Sequence, residues 1–275
     1  MLKSYKKQPI KYFVLCVVTG ATLCPILWIA FNSFKSNADL FTNPWGFPVQ
    51  WHPENFAAAW VTANIGRYFL NSVIVTVTAL FFSLLLTTTS SFAIARLKFK
   101  LAKFAFLIFT VGMMIPVHAT LIPIFMMFSK IRIINTRLAL IIPYVAFSMP
   151  ISVLILTGFL KTFPKEIEEA SIIDGATIGG MFIRVTIPIC KPCIATIAIY
   201  CFMFMWNELS YALVLTSGRA LRTLPLGLTL FRSQFNMNYV GLFAAITITV
   251  LPVIIVYVLF NRQIIEGMTS GALKG

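Results

Sequence analysis

Residues 168–188 read E-E-A-S-I-I-D-G-A-T-I-G-G-M-F-I-R-V-T-I-P and lie between two long apolar runs. The chain has only 8 acidic residues in 275, and four of them fall within nine positions at this point, namely Glu166, Glu168, Glu169 and Asp174. So strong a concentration of carboxylates in an otherwise apolar protein calls for a specific reason.

The composition predicts a membrane protein. Hydrophobic residues make up 59% of the chain and charged residues only 11%, whereas a soluble domain carries roughly 25% charged residues. A span needs about 20 mostly apolar residues to cross the hydrocarbon layer. Six segments meet this requirement, and we predict an all-α integral membrane fold in which they form six transmembrane helices: 12–33, 68–94, 104–128, 138–160, 188–209 and 240–261.

The positive charges indicate the orientation of these spans. The net charge of +14 suggests nucleic-acid binding at first, but the cations lie between the apolar runs, so we predict no nucleic-acid partner. With a cytoplasmic N-terminus, 14 of the 22 cations lie on the inner side, although one short outer loop carries Lys130, Arg132 and Arg137. We therefore expect both termini to be cytoplasmic, with a cytoplasmic loop at 161–187, an extracytoplasmic loop at 210–239 and a cytoplasmic tail at 262–275.

The acidic segment itself predicts a helix–turn–helix. Carboxylates are favoured in the first turn of a helix, so a first helix should start near Pro164. Gly175 suits a left-handed C-cap, and Asp174 is expected to cap the helix that follows. That second helix should end near Arg184 and present one apolar stripe, formed by Ile178, Met181, Phe182 and Val185.

Two settings suit an acidic, amphipathic element beside a membrane. It could lie on the lipid headgroups, or it could dock into a soluble protein. The anionic inner leaflet repels carboxylates. Docking into a protein partner is therefore the favoured interpretation.

The sequence gives little sign of catalytic chemistry. Cys190-Lys-Pro-Cys193 has redox or metal spacing, but two thiols without a second pair or a nearby histidine do not complete a zinc site. The two histidines, His52 and His118, lie in no hydrolase or metal spacing, and there is no G-x-x-x-x-G-K-[ST] phosphate loop. We therefore predict no catalytic residue, no metal and no cofactor in this chain.

The acidic segment also carries a family resemblance. Glu169-Ala170-Ser171, three residues, Gly175, nine residues and then Val185-Thr186-Ile187-Pro188 resemble the E-A-A-x-x-x-G…I-x-L-P pattern of the membrane subunits of bacterial ABC importers. Ser171, Val185 and Ile187 depart conservatively from that pattern. The form with Asp174-Gly175-Ala176 is similar to the carbohydrate-uptake, maltose-type branch.

Further motifs extend the resemblance over nearly the whole chain. The ending from Ile265 is similar to that of the shorter of the two paired permeases. The remaining motifs are Met114-Ile115-Pro116, Ile122-Pro123, the P-K-E-I-E-E-A run at 164–170, Trp206-Asn207-Glu208 and Arg222-Thr223-Leu224-Pro225.

The resemblance implies a type I ABC importer permease fold, one permease domain over 1–275, in the bacterial cytoplasmic membrane. It implies four kinds of partner: a second permease subunit, two ATP-binding cassette subunits that bind ATP and Mg²⁺, an extracytoplasmic solute-binding protein and the lipid bilayer. The expected ATPase-coupling residues are Glu168, Glu169, Ala170, Asp174, Gly175, Ala176, Phe182 and Pro188. In the C-terminal tail, Glu266, Gly267 and Lys274 are expected to contact the ATPase subunits.

Two further sites are expected on the outer side. Trp206, Asn207 and Glu208 form a candidate substrate path, because an ionisable residue at a span is a functional candidate; an interfacial belt is the competing interpretation. Gly218 and Arg219 are expected to contact the binding protein.

The resulting hypothesis is a permease subunit of an ATP-driven sugar importer, with an oligosaccharide as the expected substrate. The alternatives are import of glycerol phosphate or a polyol, a stand-alone secondary transporter, and a membrane sensor scaffold.

Overall fold

In the computed structural model, residues 9–231 and 238–272 are described, with Leu230 and residues 261–272 given by their backbone alone. Regular secondary structure in these ranges is entirely helical, as predicted. The α-helices are α1 Pro9–Asn32, α2 Asn37–Thr42, α3 Glu54–Ala57, α4 Ile65–Arg96, α5 Ala102–Gly112, α6 Leu121–Lys130, α7 Leu138–Thr162, α8 Glu166–Ile173, α9 Ile178–Met181, α10 Ile187–Trp206, α11 Ser210–Leu215, α12 Leu224–Leu228 and α13 Tyr239–Ala272.

Five of these helical stretches are long and apolar enough to cross a membrane: Pro9–Asn32, Ile65–Arg96, Leu138–Thr162, Ile178–Trp206 and Tyr239–Phe260. A sixth span exists if a bent pair of helices is counted as one. The predicted six-span architecture is therefore confirmed in these terms, and the details differ at the third, fifth and sixth spans.

The third span is broken. The span predicted over 104–128 is not one straight helix, because Ala102–Gly112 and Val117–Lys130 meet at a bend of 96°. Pro116 lies at the break with an extended backbone (ψ 128°). Proline disfavours helical backbone in the residue before it and lacks an N–H for the helix ladder, so an apolar run can be long enough to span and still turn.

The fifth and sixth spans differ from their predicted limits. The helix of the fifth span begins at Ile178 rather than near 188, because a π-helical turn, Phe182–Thr186, joins α9 to α10 without a break. It also ends at Trp206, before Glu208. Helix α13 continues past the predicted end of its span, so residues 262–272 of the expected tail are helical.

The chain forms two compact units, and the larger comprises residues 68–226 and 252–275. Its core lies among α4, α7 and α10, with buried side chains such as Val75, Leu156 and Ile197. Small hydroxyl groups allow these helices to approach closely: Ser83 Oγ and Ser148 Oγ are 2.7 Å apart. Gly112 serves the same purpose between α5 and α7, because a Cβ atom there would lie 3.3 Å from Pro150 Cγ.

The smaller unit comprises residues 1–67 and 227–251. Trp28 connects parts of this unit: its indole Nε1–H donates to Pro44 O at 2.8 Å, and its ring lies 5.3 Å from that of Phe243. In the 18-residue window that marks α1 as a span, no residue is buried inside the chain. This helix therefore presents its apolar surface to lipid or to another subunit. That residues 1–275 act as one permease domain stays a prediction.

Candidate functional site

The acidic segment forms a sharp elbow, which we define as α8 and the turn 174–177. Gly175 has a left-handed backbone (φ +87°). Its N–H donates to Ile172 O at 2.9 Å, and the N–H of Ala176 donates to Ser171 O at 3.0 Å. These two bonds define a Schellman C-cap, in which glycine takes the left-handed position without steric cost. The predicted left-handed C-cap at Gly175 is confirmed, and its role in ATPase coupling stays a prediction.

The helix after the turn is capped differently from the prediction. Thr177, and not Asp174, is the cap, because its Oγ1 accepts from the N–H of Gly180 at 3.1 Å. Thr177 directly precedes the helix and has the extended backbone that a cap requires. The side chain of Asp174 remains exposed at the turn.

The predicted apolar stripe is divided between two environments. Met181 is buried, and the Phe182 ring lies 4.9 Å from the ring of Phe92 on α4. Ile178 remains 57% exposed. The expectation that this helix ends near Arg184 is wrong, because the π-helical turn continues it into α10. The elbow is consequently connected without a break to a membrane span.

Glu168 lies inside the chain. Its Oε2 is 2.5 Å from Arg96 Nε, and the two side chains are only 8% and 5% exposed. Its Oε1 accepts a hydrogen bond from Thr186 Oγ1 at 3.0 Å. Arg96 Nη2 also donates to the carbonyl oxygen of Phe163 at 3.3 Å. The sequence grouped Glu168 with the docking residues, and the structure shows a carboxylate that holds α8 against the bundle.

The outer side of the elbow is exposed. Glu169, Ala170 and Asp174 are accessible, and Ile173 between them is 85% exposed. We call Glu169, Ile173, Asp174 and Ile178 the elbow surface. An isoleucine held this far out of the core beside two carboxylates is an unfavourable arrangement in water and a suitable one for a protein contact. Ala176 and Phe182 are partly buried behind this surface, and Pro188 is exposed at the second position of α10.

The three residues of the candidate substrate path have different environments. Trp206 is buried, with its ring 5.5 Å from that of Phe202. Glu208 is also buried: its carboxylate accepts from the Tyr144 hydroxyl at 2.9 Å and from the Tyr211 N–H at 2.8 Å, which anchors the start of α11. Asn207 is exposed and donates to Met203 O at 2.8 Å. Contact of this trio with a solute stays a prediction.

The segment that carries Gly218 and Arg219 is held by Asn135, a residue that lies in none of the sequence motifs. Asn135 Oδ1 accepts from the N–H of Ser217 at 2.6 Å and from that of Gly218 at 3.3 Å. Its Nδ2 donates to Ser217 Oγ at 2.6 Å. Asn135 adopts a left-handed backbone (φ 59°), which asparagine tolerates well, so a short turn can aim its whole side chain at this segment.

The start of α4 fixes the same segment from another direction. Asn71 Nδ2 donates to the carbonyl oxygens of Ala220 and Arg222, at 2.8 and 3.1 Å. The N–H of Leu224 donates to Ser72 Oγ at 2.7 Å. Arg96 lies at the opposite end of α4, about 36 Å from Ser72 at 1.5 Å per residue. The two candidate contact sites thus lie at opposite ends of one membrane-spanning helix.

The remaining predicted residues are the cysteines and the residues of the C-terminal tail. Cys190 and Cys193 are free thiols buried on α10. In the described part of the chain, no three metal-ligating side chains form a cluster. Glu266 and Gly267 belong to the helical backbone of α13, but the side chain of Glu266 lies outside the described residues, as does the whole of Lys274.

Residues 86–270 match the family model described as "Binding-protein-dependent transport system inner membrane component". A diacetylchitobiose uptake system permease protein of Streptomyces coelicolor is 34% identical over 96% of this chain and 88% of its own length. A probable starch degradation products transport system permease protein of Thermoanaerobacterium thermosulfurigenes is 30% identical over 100% of both chains. A melibiose/raffinose/stachyose import permease protein of Bacillus subtilis is 29% identical over 98% of both.

A solved structure has the same fold. It is a chain of a bacterial ABC transporter involved in the import of the acidic polysaccharide alginate, with a TM-score of 0.80 and 21% identity over 92% of this chain and 94% of that chain. The predicted ABC importer permease fold is thereby confirmed. The elbow, the multiple apolar spans and the family match lead to one conclusion: this chain belongs to the family of binding-protein-dependent transport system inner membrane components, and it is a multi-pass protein of the cytoplasmic membrane.

Proposed function

We propose that this chain is one of two permease subunits of an ATP-driven importer for oligosaccharides. The relatives described above are named for the uptake of diacetylchitobiose, of starch degradation products and of the melibiose series. These names favour an oligosaccharide over glycerol phosphate or a polyol. Membership of a binding-protein-dependent family speaks against a stand-alone secondary transporter and against a sensor scaffold.

The elbow surface is the observation that carries the proposal. It combines a carboxylate, Glu169, with the 85% exposed Ile173 on a helix that buried groups hold in place. A protein interface of moderate size gains from such a pattern, because an apolar anchor supplies burial and the charge beside it supplies orientation. We propose that an ATP-binding cassette subunit takes this surface into a cleft on the cytoplasmic side, and that the C-terminal helix approaches the same partners.

The proposed mechanism requires no reaction on this chain. The ATPase subunits bind ATP and Mg²⁺ and change their separation during hydrolysis. A partner that binds the elbow more tightly in one arrangement of the spans shifts the equilibrium towards that arrangement. Because the elbow continues into the Ile178–Trp206 helix, its displacement reaches a membrane span directly.

The opposite end of the bundle supplies the second contact. Gly218 and Arg219 are exposed on a segment held by Asn135 and Asn71. We propose that the extracytoplasmic solute-binding protein docks on this segment and delivers the sugar to a path between the two permeases. Asn207 is exposed and is the first residue of the candidate path to test.

Charge reversal on the elbow surface tests the proposal. In vesicles that contain both permeases and the ATPase subunits, with binding protein on the outside, Glu169→Lys should lower ATP-dependent uptake of labelled oligosaccharides about tenfold or more. The reason is that reversing a charge at an interface costs several kcal/mol through repulsion. Glu166→Lys is the matched control, because Glu166 is an exposed carboxylate on the same helix outside the elbow surface.

The competing functions give different outcomes in the same assay. Uptake of glycerol phosphate or a polyol in place of oligosaccharides would contradict the substrate assignment. Uptake by the permeases without ATPase subunits, or normal uptake by Glu169→Lys, would contradict the coupling role.

A further inference from the structure

The Arg96–Glu168 ion pair is buried between α4 and α8. Neither the family match nor the proposed contact at the elbow surface explains why two charges are buried there. The pair lies where the C-terminal end of α4 meets α8, and both side chains are withdrawn from solvent, at 5% and 8% exposure. Full burial of two charges is expensive, and an apolar pair of similar volume would often serve stability equally well or better. A role beyond stability is therefore the better explanation for charges at this point.

The pair connects four parts of the chain. Arg96 ends α4, Glu168 lies in α8, Thr186 closes the π-helical turn, and the carbonyl of Phe163 follows the last residue of α7. The contacts that join them are Glu168 Oε2 to Arg96 Nε at 2.5 Å, Thr186 Oγ1 to Glu168 Oε1 at 3.0 Å and Arg96 Nη2 to Phe163 O at 3.3 Å. We call this network the strut.

The strut matters because the chain joins α8 to its neighbours by two short connections, while α8 packs against α9 and the π-helical turn. Residues 163–165 join it to α7, and residues 174–177 join it to α9. A force applied to the elbow surface reaches the Ile178–Trp206 helix directly, but α8 could rotate about these connections without moving α4. The strut prevents this by fixing α8 to α4 and to the start of the α10 helix at the same time. The ring contact of Phe92 with Phe182 reinforces the same junction.

We infer that Arg96 and Glu168 are positioning residues that make α4 move together with the elbow when the ATPase partner moves it. The inference rests on the proposed function and adds a second transmitting helix to the direct connection through α10. Since α4 also holds the segment of Gly218 and Arg219 at its other end, through Asn71 and Ser72, the strut links the two ends of the bundle. Arg96 performs this task through an ion pair with the Glu168 carboxylate and a hydrogen bond from its Nη2 to the Phe163 carbonyl.

The test separates transport from hydrolysis. The complete complex is placed in vesicles, and sugar molecules moved per ATP hydrolysed are measured for Arg96→Gln, Glu168→Gln and the exchange Arg96→Glu with Glu168→Arg. We expect each single change to lower this ratio about tenfold while hydrolysis continues, since changes along a coupling network alter it by this order. The exchange should recover part of the loss. Glu166→Gln and Lys98→Gln, exposed charges on α8 and after α4, should leave the ratio unchanged.

A second measurement does not depend on transport. A nitroxide label at Ile173, in the full-length chain in membranes, should gain mobility in Arg96→Gln and Glu168→Gln and keep its wild-type spectrum in Glu166→Gln. If wild-type complexes move no oligosaccharide, the proposed function fails, and the label still decides whether the strut fixes the elbow. If the single variants do not accumulate, Thr186→Val and Arg96→Lys, which each remove one contact, are tested in their place. Unchanged label mobility together with an unchanged ratio in the variants that do accumulate would overturn the inference.

Discussion

At the scale of single residues, adjacent carboxylates in the elbow face different sides of α8. Consecutive residues of a helix are rotated by about 100°, so Glu168 faces the bundle while Glu169 faces outwards. The sequence identified the acidic cluster but could not separate these two, because the partner that draws Glu168 inwards, Arg96, lies far away along the chain. Glu208 is a similar case: it was selected as an ionisable residue at a span, and its carboxylate anchors the start of α11.

Gly175 allows a prediction about backbone conformation alone. A Cβ atom at this position would meet no other atom within 4 Å, so a substitution acts only through the left-handed φ of +87°. Gly175→Ala should cost about 1–2 kcal/mol, and Gly175→Asn should cost less. Gly175→Pro should be worst, because it also removes the N–H that donates to Ile172 O. ATP-dependent uptake, corrected for the amount of chain in the membrane, should fall least in Gly175→Asn, more in Gly175→Ala and most in Gly175→Pro.

The control for this series is Gly179→Ala. Gly179 also has open space around its Cβ position, but it lies in the helix after the turn and has no positive φ. Alanine there should be neutral or slightly favourable. Equal losses in Gly179→Ala and Gly175→Ala would show that the left-handed turn is not what the elbow requires.

At the scale of elements, the sequence predicted the spans well and their interruptions poorly. Long apolar runs are sufficient to place helices, because in a membrane every buried backbone group must find a partner within the helix. Whether a run is straight depends on local backbone conformation, as at Pro116. The π-helical turn at 182–186 ends at Thr186, whose Oγ1 donates to Glu168 on another helix, and an apolar run alone does not indicate such a contact.

Asn135 offers a prediction at this scale, because it joins the turn before α7 to the segment after α11. Asn135→Ala removes three side-chain hydrogen bonds and should free Gly218 and Arg219 from their present position. Each lost bond contributes about 0.5–1.5 kcal/mol. We expect weaker binding of the solute-binding protein, measured as a higher Kd for the complex in nanodiscs, by about tenfold. Ser217→Ala removes only one of the three bonds and should have a smaller effect; an equal effect would assign the loss to Ser217 rather than to the turn.

At the scale of the whole molecule, the two proposed contact sites lie at opposite ends of α4, and the proposed function requires that each influences the other. If docking of the solute-binding protein favours one arrangement of the spans, it must change the affinity of the ATPase partners for the elbow, since linkage is reciprocal. Arg219→Glu should therefore reduce the stimulation of ATP hydrolysis by sugar-loaded binding protein about tenfold, a factor typical of coupling between two sites. Basal hydrolysis, without binding protein, should remain unchanged. Lys130→Glu makes the same charge change at an exposed position near the Asn135 turn and should preserve the stimulation. For each variant, the hydrolysis rate is measured with and without sugar-loaded binding protein, and the ratio of the two rates gives the stimulation. Full stimulation in Arg219→Glu would place the docking contact elsewhere, whereas a loss of basal hydrolysis as well would indicate damage to assembly rather than to communication between the two ends.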